Sequence, residues 1–277
     1  MTKLLAANKP VRPFLKWAGN KYRILEHIQQ HLPAGKRLVE PFVGSGALFL
    51  NSDYDRYLLA DSNLDLINLY NILKKEGPGF IQYCQSLFAD KYNSAETYYE
   101  LRQEFNTTED VRRKSALFIY LNRHGYNGLC RYNRKGGFNV PFGRYKRPYF
   151  PAAEMLHFHL KAKKAVFKHQ DFEKIIATTR PGDVIYCDPP YVPLSDSANF
   201  TTYSAGGFDL EQQHRLAELA DESLLRGIPV LISNHDTKLT RKIYKTASKK
   251  KFFDVRRFIS CNGQKRLHAG EVLAVFA

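Results

Sequence analysis

The stretch of sequence that decides the fold is Asp183-Val184-Ile185-Tyr186-Cys187-Asp188-Pro189-Pro190-Tyr191. Its first five residues are a short, largely apolar run, typical of a buried strand in a parallel sheet. Two consecutive prolines donate no backbone hydrogen bond and disfavour helix in the residues before them, so the strand ends there. Open α/β sheets bind ligands at this end of their strands. We therefore expect a ligand-binding loop directly after a parallel strand.

The loop carries groups that suit an exocyclic amine. Asp188 and the carbonyl of Pro189 can accept two N–H bonds, and Tyr191 can stack on a base. Neither Pro189 nor Pro190 has an N–H, which makes the loop stiff and rich in acceptors. The alternative is a proline turn beside a solvated aspartate, and this stretch alone does not separate the two.

Composition limits the classes of partner. The chain has 277 residues with a 44% hydrophobic fraction, which is enough for one large domain with or without a smaller insertion. A net charge of +15 indicates a polyanionic partner; membrane attachment is the rival, but no apolar stretch approaches the ~20 residues that span a bilayer. No export signal is evident, so a cytoplasmic location is expected. The widely spaced Cys84, Cys130, Cys187 and Cys261 predict neither a metal site nor disulfides.

A strand and a glycine turn are predicted from Arg37 to Gly46. Gly44 and Gly46 permit close backbone approach to a ligand, although a full GxGxxG and a phosphate-binding lysine are missing. A second strand, Arg56 to Asp61, ends in an acid where ribose hydroxyls are normally bound. The alternative is that Asp61 caps the following helix. Both can hold, because Ser62 or Asn63 could supply the cap instead.

The strand–helix alternation stops near residue 77 and resumes near residue 165. Residues 80–122 have a helical pattern, and residues 111–153 contain ten Lys/Arg, nine Phe/Tyr and no acid. Basic residues interleaved with aromatics favour nucleic acid over a solvated face, which would mix both signs of charge. Further strands are predicted at 165–168, 183–187, 229–233, 253–259 and 271–276, with a helix at 209–226. For the basic stretch 238–251, a solvated helix is preferred over the alternative of a second phosphate-facing surface.

FLKWAGNK (14–21), EPFVGSGALF (40–49), YLLAD (57–61) and DVIYCDPPY (183–191) occur in this order around LNRHGYNGLCRYN (121–133) and FNVPFGRY (138–145). Over nearly the whole chain, this pattern resembles the Dam-type DNA adenine-N6 methyltransferases. The predicted fold is α/β: a Rossmann-like sheet with an inserted, mainly helical domain, and the resemblance implies that they are a methyltransferase sheet and a DNA-recognition domain. The catalytic domain comprises residues 1–72 plus 154–277, and the insertion comprises residues 73–153.

The resemblance implies S-adenosylmethionine as cofactor, double-stranded DNA as partner, flipping of the target adenine and methylation at GATC. The positions matching the family's cofactor site are Trp17, Lys21, Phe42, Gly44, Gly46, Asp61, Asp171, Phe172 and Asp188. From the sequence alone, core packing is the first interpretation of Trp17. The positions matching its DNA contacts are Lys16, which reaches the first base of the site, and Arg123, Tyr126, Asn127, Leu129, Arg131, Asn139, Pro141 and Arg144. The chain departs from the family at Asn20, where glycine is usual, and fits only loosely over residues 264–277.

Two alternatives stay open from the residues. An N4-cytosine methyltransferase uses the same amine chemistry, usually with serine in place of Asp188. A catalytically silent, sequence-specific DNA-binding protein would have no use for an intact DPPY loop. A cytosine-C5 enzyme is excluded because no Pro-Cys dipeptide occurs. We expect a monomer associated with a bacterial or phage nucleoid, with no metal and no obligate protein partner.

Overall fold

The computed structural model describes residues 10–192, 208–256 and 268–277. The strands of this part of the chain form one sheet in the order β3-β2-β1-β4-β5-β7-β6. Their bounds are β1 Arg37–Glu40, β2 Arg56–Asp61, β3 Ala165–His169, β4 Asp183–Cys187, β5 Val230–His235, β6 Lys249–Arg256 and β7 His268–Phe276. Strands β1 to β5 are parallel, and β7 is antiparallel to both β5 and β6. The predicted α/β, Rossmann-like fold class is confirmed.

The topology brings the two predicted ligand-binding segments together. Strand β1 pairs with β2 on one side and with β4 on the other, so the chain leaves β1 and β4 in opposite directions. Doubly wound sheets bind ligands at this switch point. The glycine turn follows β1, and Asp188 follows β4, so both segments lie at the same edge of the sheet.

Helices cover both faces of the sheet. Their bounds are α1 Leu25–His31, α2 Ala47–Asn51, α3 Leu64–Glu76, α4 Pro78–Ser86, α5 Ala95–Thr107, α6 Val111–His124, α7 Ala152–Ala162, α8 Phe172–Ala177, α9 Leu210–Leu225 and α10 Lys238–Ile243. Leu38 packs in an apolar cluster with residues of α3, α6 and α7, whereas the adjacent Val39 packs in a second cluster with residues of α8, α9 and α10. This two-sided burial accounts for the continuous apolar strands.

The predicted helical stretch between β2 and β3 is confirmed. Helix α6 packs against α3, α4 and α5. Asp110 caps its N-terminus, and every residue from Ser115 to His124 is buried. Phe14 packs edge-on against Tyr70 of α3 and Phe158 of α7, which continues the apolar core toward the sheet. The boundaries 1–72, 73–153 and 154–277 stay a prediction.

The prediction of a solvated helix over residues 238–251 is wrong in its second half. Helix α10 ends at Ile243, and Lys249 begins β6, four residues before the predicted strand. The backbone of Lys249 to Lys251 pairs with β7, while lysine side chains on an edge strand oppose pairing with another chain. Residues 257–259 of the predicted strand lie outside the described residues.

Irregular backbone joins α6 to α7. Antiparallel bridges Gly125–Phe142 and Tyr132–Phe138 hold it together. Within the described part of the chain, no helix is long and apolar enough to cross a membrane.

Candidate active site and nucleic-acid interface

Asp188 lies at the carboxyl end of β4 with two partners on one carboxylate oxygen. Lys21 Nζ is 2.8 Å from Asp188 Oδ1, and Ser233 Oγ donates to the same oxygen at 3.1 Å. Burial raises the pKa of Asp188, and the charge of Lys21 opposes this shift. The carboxylate retains 19% of its side-chain exposure, so the site is open at one side. Lys21 and Ser233 therefore fix the Asp188 carboxylate in place, and the alternative of a solvated aspartate does not fit the structure.

Two buried amides hold the loop that follows Asp188. Because Pro189 and Pro190 donate no hydrogen bond, the loop can be held through its carbonyls and its flanking N–H groups. Gln213 Nε2 donates to the Pro190 carbonyl at 2.7 Å, and Val192 N donates to Asn234 Oδ1 at 3.1 Å. Asn234 Nδ2 donates in turn to Gln213 Oε1 at 3.0 Å. We call Gln213 and Asn234 the amide clamp; the sequence analysis missed both.

Tyr191 and Lys21 lie against each other beside Asp188. The ammonium of Lys21 is 4.3 Å from the centroid of the Tyr191 ring and donates to the Gly19 carbonyl at 2.6 Å. The edge of His235 packs on Tyr191, with 4.6 Å between the ring centroids. Lys21, assigned from the resemblance to the cofactor, thus contacts the two side chains expected to hold the target base.

The glycine turn after β1 is shaped by its surroundings. Gly44 and Gly46 have φ values of +46° and +70°, where glycine is favoured. A Cβ on Gly44 would lie 2.9 Å from Trp17 Nε1, so the indole packs directly over this glycine. Trp17 is half-buried at the edge of the core, so the structure combines core packing with contact to the turn.

Asp61 links the glycine turn to the start of α3. Its Oδ2 accepts from Gly44 N at 3.0 Å, and its Oδ1 accepts from Asn63 N at 2.9 Å. The cap of α3 is Asn63, whose Oδ1 accepts from Leu66 N at 3.0 Å. Burial raises the pKa of Asp61. Since Asn63 supplies the cap, the carboxylate keeps lone pairs for a further donor.

Aromatic rings line the other side of the turn. Phe42 stacks on Phe172 with 5.4 Å between centroids, and Phe208 packs edge-on against Phe42. Asp171 is exposed and caps α8 by accepting from Glu173 N at 2.9 Å.

Most residues assigned to DNA lie on the irregular segment after α6. Tyr126, Asn127, Arg131, Pro141 and Arg144 are exposed, and Leu129 and Asn139 are half-buried. The Arg131 guanidinium is oriented by Asn139: Nε donates to Oδ1 at 2.7 Å, and Nη2 donates to the backbone oxygen at 3.2 Å. An exposed arginine held through one edge presents its other edge to a partner.

Residues 17–257 match the family model described as D12 class N6 adenine-specific DNA methyltransferase. The chain belongs to this family. It is 55% identical over 268 residues to the DNA adenine methylase of Salmonella typhi, and 54% identical over 268 residues to that of Escherichia coli strain K12; each alignment covers 97% of this chain and 96% of the relative. A putative RNA methyltransferase structure from Pyrococcus horikoshii aligns with a TM-score of 0.39 and 10% identity, covering 99% of this chain and 92% of that one.

The family membership settles the class of reaction. This DNA adenine-N6 methyltransferase acts on DNA, so the predicted resemblance and enzyme class are confirmed. The N4-cytosine and catalytically silent alternatives are not supported. At Asn20, where the family usually has glycine, φ is −50° and the side chain accepts from Tyr22 N at 2.8 Å. An asparagine is therefore accommodated without strain.

The methyltransferase buries one residue that was assigned to DNA. Arg123 is 8% exposed, donates to the Phe14 carbonyl and lies 5.5 Å from the centroid of Tyr149. Its position at the end of α6 turns the guanidinium into the protein, so a direct DNA contact does not fit the structure. Sequence reasoning could not see this, because the charge pattern is that of its exposed neighbours.

A buried acid was missed altogether. Glu40, the last residue of β1, is 3% exposed, and its Oε1 has no hydrogen-bond partner among the described residues. Burial and the nearby charge of Asp188 raise the pKa of Glu40 well above its ordinary value. An unpartnered buried acceptor calls for a donor. The signal in the sequence was a glutamate directly before the glycine turn.

Proposed function

We propose that this methyltransferase flips an adenine out of duplex DNA at GATC and methylates its N6 with S-adenosylmethionine as the donor. The observation that carries the proposal is the arrangement at Asp188, where Lys21 and Ser233 hold one carboxylate oxygen and the amide clamp holds the loop. We assign Oδ2 of Asp188 and the Pro189 carbonyl as acceptors for the two N–H bonds of the target amine.

These acceptors act by orientation and charge. The lone pair of adenine N6 is delocalised into the ring, which makes this nitrogen a poor nucleophile. Two acceptors already in position favour a pyramidal nitrogen whose lone pair is directed at the methyl donor. No strong base is needed early, because N6 becomes acidic only as the methyl group arrives. Asp188 is then the nearest proton acceptor, and its raised pKa suits that role.

The target base would displace Lys21 from the face of Tyr191. An adenine stacked on Tyr191 takes the position that the ammonium holds at 4.3 Å from the ring centroid. Stacking offsets part of the few kcal/mol spent on unstacking the base from the duplex. We therefore assign Lys21 a double role: it keeps Asp188 ionised, and it occupies the base position until the adenine arrives.

The glycine turn fits S-adenosylmethionine. Asp61 can accept from ribose hydroxyls while keeping its bonds to Gly44 and Asn63. Phe42 and Phe172 can pack on the cofactor's adenine, with Asp171 beside them. The unpartnered Oε1 of Glu40 can accept from the cofactor's ammonium. When bound, the cofactor supplies an electrophilic sulfonium methyl group.

The exposed loop fits the reading of GATC. Asn139 fixes one edge of Arg131, which leaves the Nη1–Nη2 edge for a bidentate contact to guanine O6 and N7. Leu129 and Pro141 offer apolar contact to a thymine methyl. Lys16 lies over the ring of Tyr145, at 4.6 Å from its centroid, and is assigned to the first base. One such loop per chain suits action as a monomer.

The test is methyl transfer from labelled S-adenosylmethionine to duplexes with one GATC or a single-base variant of it, followed by nucleoside analysis. We expect N6-methyladenine in the GATC duplex and at least a hundredfold slower labelling of the variants, since each mismatch costs ~1–3 kcal/mol in binding and also misplaces the target adenine. Asp188→Asn should lower kcat by about 10²–10³-fold. Labelled cytosine, equal labelling of all duplexes, or full activity of Asp188→Asn would contradict the proposal.

A further inference from the structure

One buried side chain, Asn122, connects the segment that carries Lys16 and Trp17 to the irregular segment between α6 and α7, residues 125–151, which we call the DNA-facing loop because most of the proposed DNA contacts lie on it. Its Oδ1 accepts from Lys16 N at 2.9 Å, and its Nδ2 donates to the Lys16 carbonyl at 2.8 Å. The same Nδ2 donates to the Gly128 carbonyl at 3.1 Å. Asn122 is 2% exposed at the end of α6, so water cannot replace these bonds. Both N–H groups of the amide are thus used, and one side chain grips two segments.

The segment gripped by Asn122 belongs to both proposed sites. On the cofactor side, Trp17 packs over Gly44, whose N–H is bonded to Asp61. On the DNA side, the Lys16 side chain crosses Gly128 so closely that a Cβ there would collide with it. Lys16 and Trp17, which are adjacent in the chain, therefore contact both proposed sites.

Further contacts fix the two ends of this connection. The buried Arg123 donates to the carbonyl of Phe14, which is fully buried in the core. The ammonium of Lys16 lies over Tyr145, whose hydroxyl accepts from Asn127 N at 3.0 Å. The two residues Asn122 and Arg123 near the end of α6 thus tie the segment down, while its Lys16 side chain is engaged by the DNA-facing loop.

We propose that Asn122 is a positioning residue that couples the cofactor site to the DNA-facing loop. The proposal rests on the proposed function, since it requires both S-adenosylmethionine and GATC duplex as ligands. A ligand that orders the Lys16–Trp17 segment meets part of the ordering cost for the other ligand, so the second binds more tightly. Because coupling is reciprocal, each ligand changes the affinity of the other by the same factor.

The experiment measures that factor with ligands that do not turn over. Affinities of S-adenosylhomocysteine and of a short duplex with one GATC are measured separately and then each in the presence of the other, for the wild type and for Asn122→Ala. We expect a factor of about 5 or more for the wild type, the usual lower range for coupled sites. In Asn122→Ala the factor should fall to about 1. A merely structural role would lower the melting temperature and leave the factor unchanged.

Asn51→Ala is the matched control. Asn51 makes the same two-way bridge to the backbone of Val11, at 2.7 Å and 2.9 Å, with a third bond to the Ala47 carbonyl. Val11 lies on the same amino-terminal segment, but this bridge ends on α2 rather than on the insertion. We expect Asn51→Ala to keep the wild-type factor. A factor that both variants keep, or that both lose, overturns the proposal.

The two proposals fail in different ways. A wild type that does not bind one of the two ligands contradicts the proposed function, whereas a wild type that binds both with a factor of 1 contradicts only the coupling. If Asn122→Ala does not fold, hydrogen exchange of the Lys16 amide in the wild type replaces it, because Asn122 is the acceptor of that amide. Each ligand alone should slow its exchange. An exchange rate that either ligand leaves unchanged overturns the coupling.

Discussion

Lys21 contacts both the carboxylate and the aromatic ring that we propose hold the target base. One ammonium lies 2.8 Å from Asp188 and over the ring of Tyr191, with 8% of the lysine side chain exposed. A buried cation needs its partner, and so does the carboxylate. The ion pair therefore opposes the rise that burial causes in the pKa of Asp188.

The first prediction concerns the pH dependence of catalysis. Burial raises the pKa of Asp188 and Lys21 opposes that shift, so Lys21→Met should raise this pKa further. The ionised acceptor then disappears at a higher pH, and the acid limb of kcat/KM against pH, which reports the enzyme before DNA binds, should move upward. Lys36→Met, which removes an exposed lysine, is the control and should leave the limb in place. An unmoved limb in Lys21→Met would mean that Lys21 does not tune Asp188.

The second prediction concerns Asp61. Asp61→Asn should weaken S-adenosylhomocysteine binding by roughly 1.5–3 kcal/mol, the usual worth of hydrogen bonds to a charged group. Calorimetry is the measurement. Asn63→Ala removes the cap of α3 and should lower the melting temperature while leaving the affinity near that of the wild type. If both variants bind the ligand equally well, the ribose contact lies elsewhere.

At the scale of elements, the catalytic loop is held by a helix and a strand that are distant in sequence. Gln213 of α9 and Asn234 of β5 are 2% and 0% exposed, and they bond to each other as well as to the loop. The loop after β4 thus has a fixed conformation without donors of its own at its two prolines. Preorganised acceptors need this rigidity.

The third prediction removes one half of the amide clamp. Gln213→Leu removes the hydrogen-bond partner of the Pro190 carbonyl and of one N–H of the Asn234 amide, whose Nδ2 also donates to the Tyr244 hydroxyl; the loss should cost about 1–3 kcal/mol of stability. We also expect kcat to fall at least tenfold while the DNA KM changes little. Ser223→Ala is the control, because its buried hydroxyl donates within α9, to the Leu219 carbonyl, away from the catalytic loop. Equal kcat values for the two variants would show that the amide clamp does not position the loop after β4 for catalysis.

The fourth prediction concerns the DNA-facing loop. Arg131→Ala should methylate GATC more slowly and tolerate substitutions at one outer position, because removal of one base contact costs ~1–3 kcal/mol there alone. Rates on a panel of single-base variants measure this. Arg134→Ala, an exposed neighbour, should slow all duplexes alike. The same uniform slowing in Arg131→Ala would make Arg131 a phosphate contact.

At the scale of the whole molecule, the ten Lys/Arg of residues 111–153 fall into two groups: those that are ion-paired or buried, and those that are exposed. Arg112, Arg113 and Lys114 are ion-paired with Glu76, Glu104 and Asp65, and Arg123 is buried. The other six Lys/Arg of residues 111–153 are exposed between positions 131 and 147. Within residues 111–153, the exposed positive charge is therefore concentrated on the irregular loop, away from the helix that begins the segment.

The fifth prediction follows from this division. The double variant Arg134→Ala/Lys135→Ala should reduce the slope of log affinity against log salt by about 2 on nonspecific duplex DNA, because each phosphate that the protein neutralises contributes about 0.9 to the slope. Arg112→Ala, which removes a charge already paired with Glu76, should leave the slope unchanged. Equal slopes for the two variants would contradict the placement of DNA on the loop.

Hydrophobic periodicity and turn chemistry predicted most of the sheet and the positions of the two segments proposed to bind ligands, because these are local properties of the chain. The predictions missed what depends on tertiary contacts. The sequence around Gln213 does not indicate that its side chain bonds to the Pro190 carbonyl, 23 residues away. The burial of Arg123 depends on Phe14, 109 residues away. Lys249 to Lys251 look solvated in sequence and become an edge strand by pairing with β7.

The long separation in sequence between β2 and its neighbouring strand β3 has a consequence for synthesis on the ribosome. β2 ends at Asp61, but β3 begins only at Ala165. At about 5–20 residues per second, roughly 5–20 s pass before the edge of β2 can pair with β3. The intervening helices form far faster from local contacts. Nascent chains should therefore carry the helical segment folded first, with β2 open on that side to a chaperone.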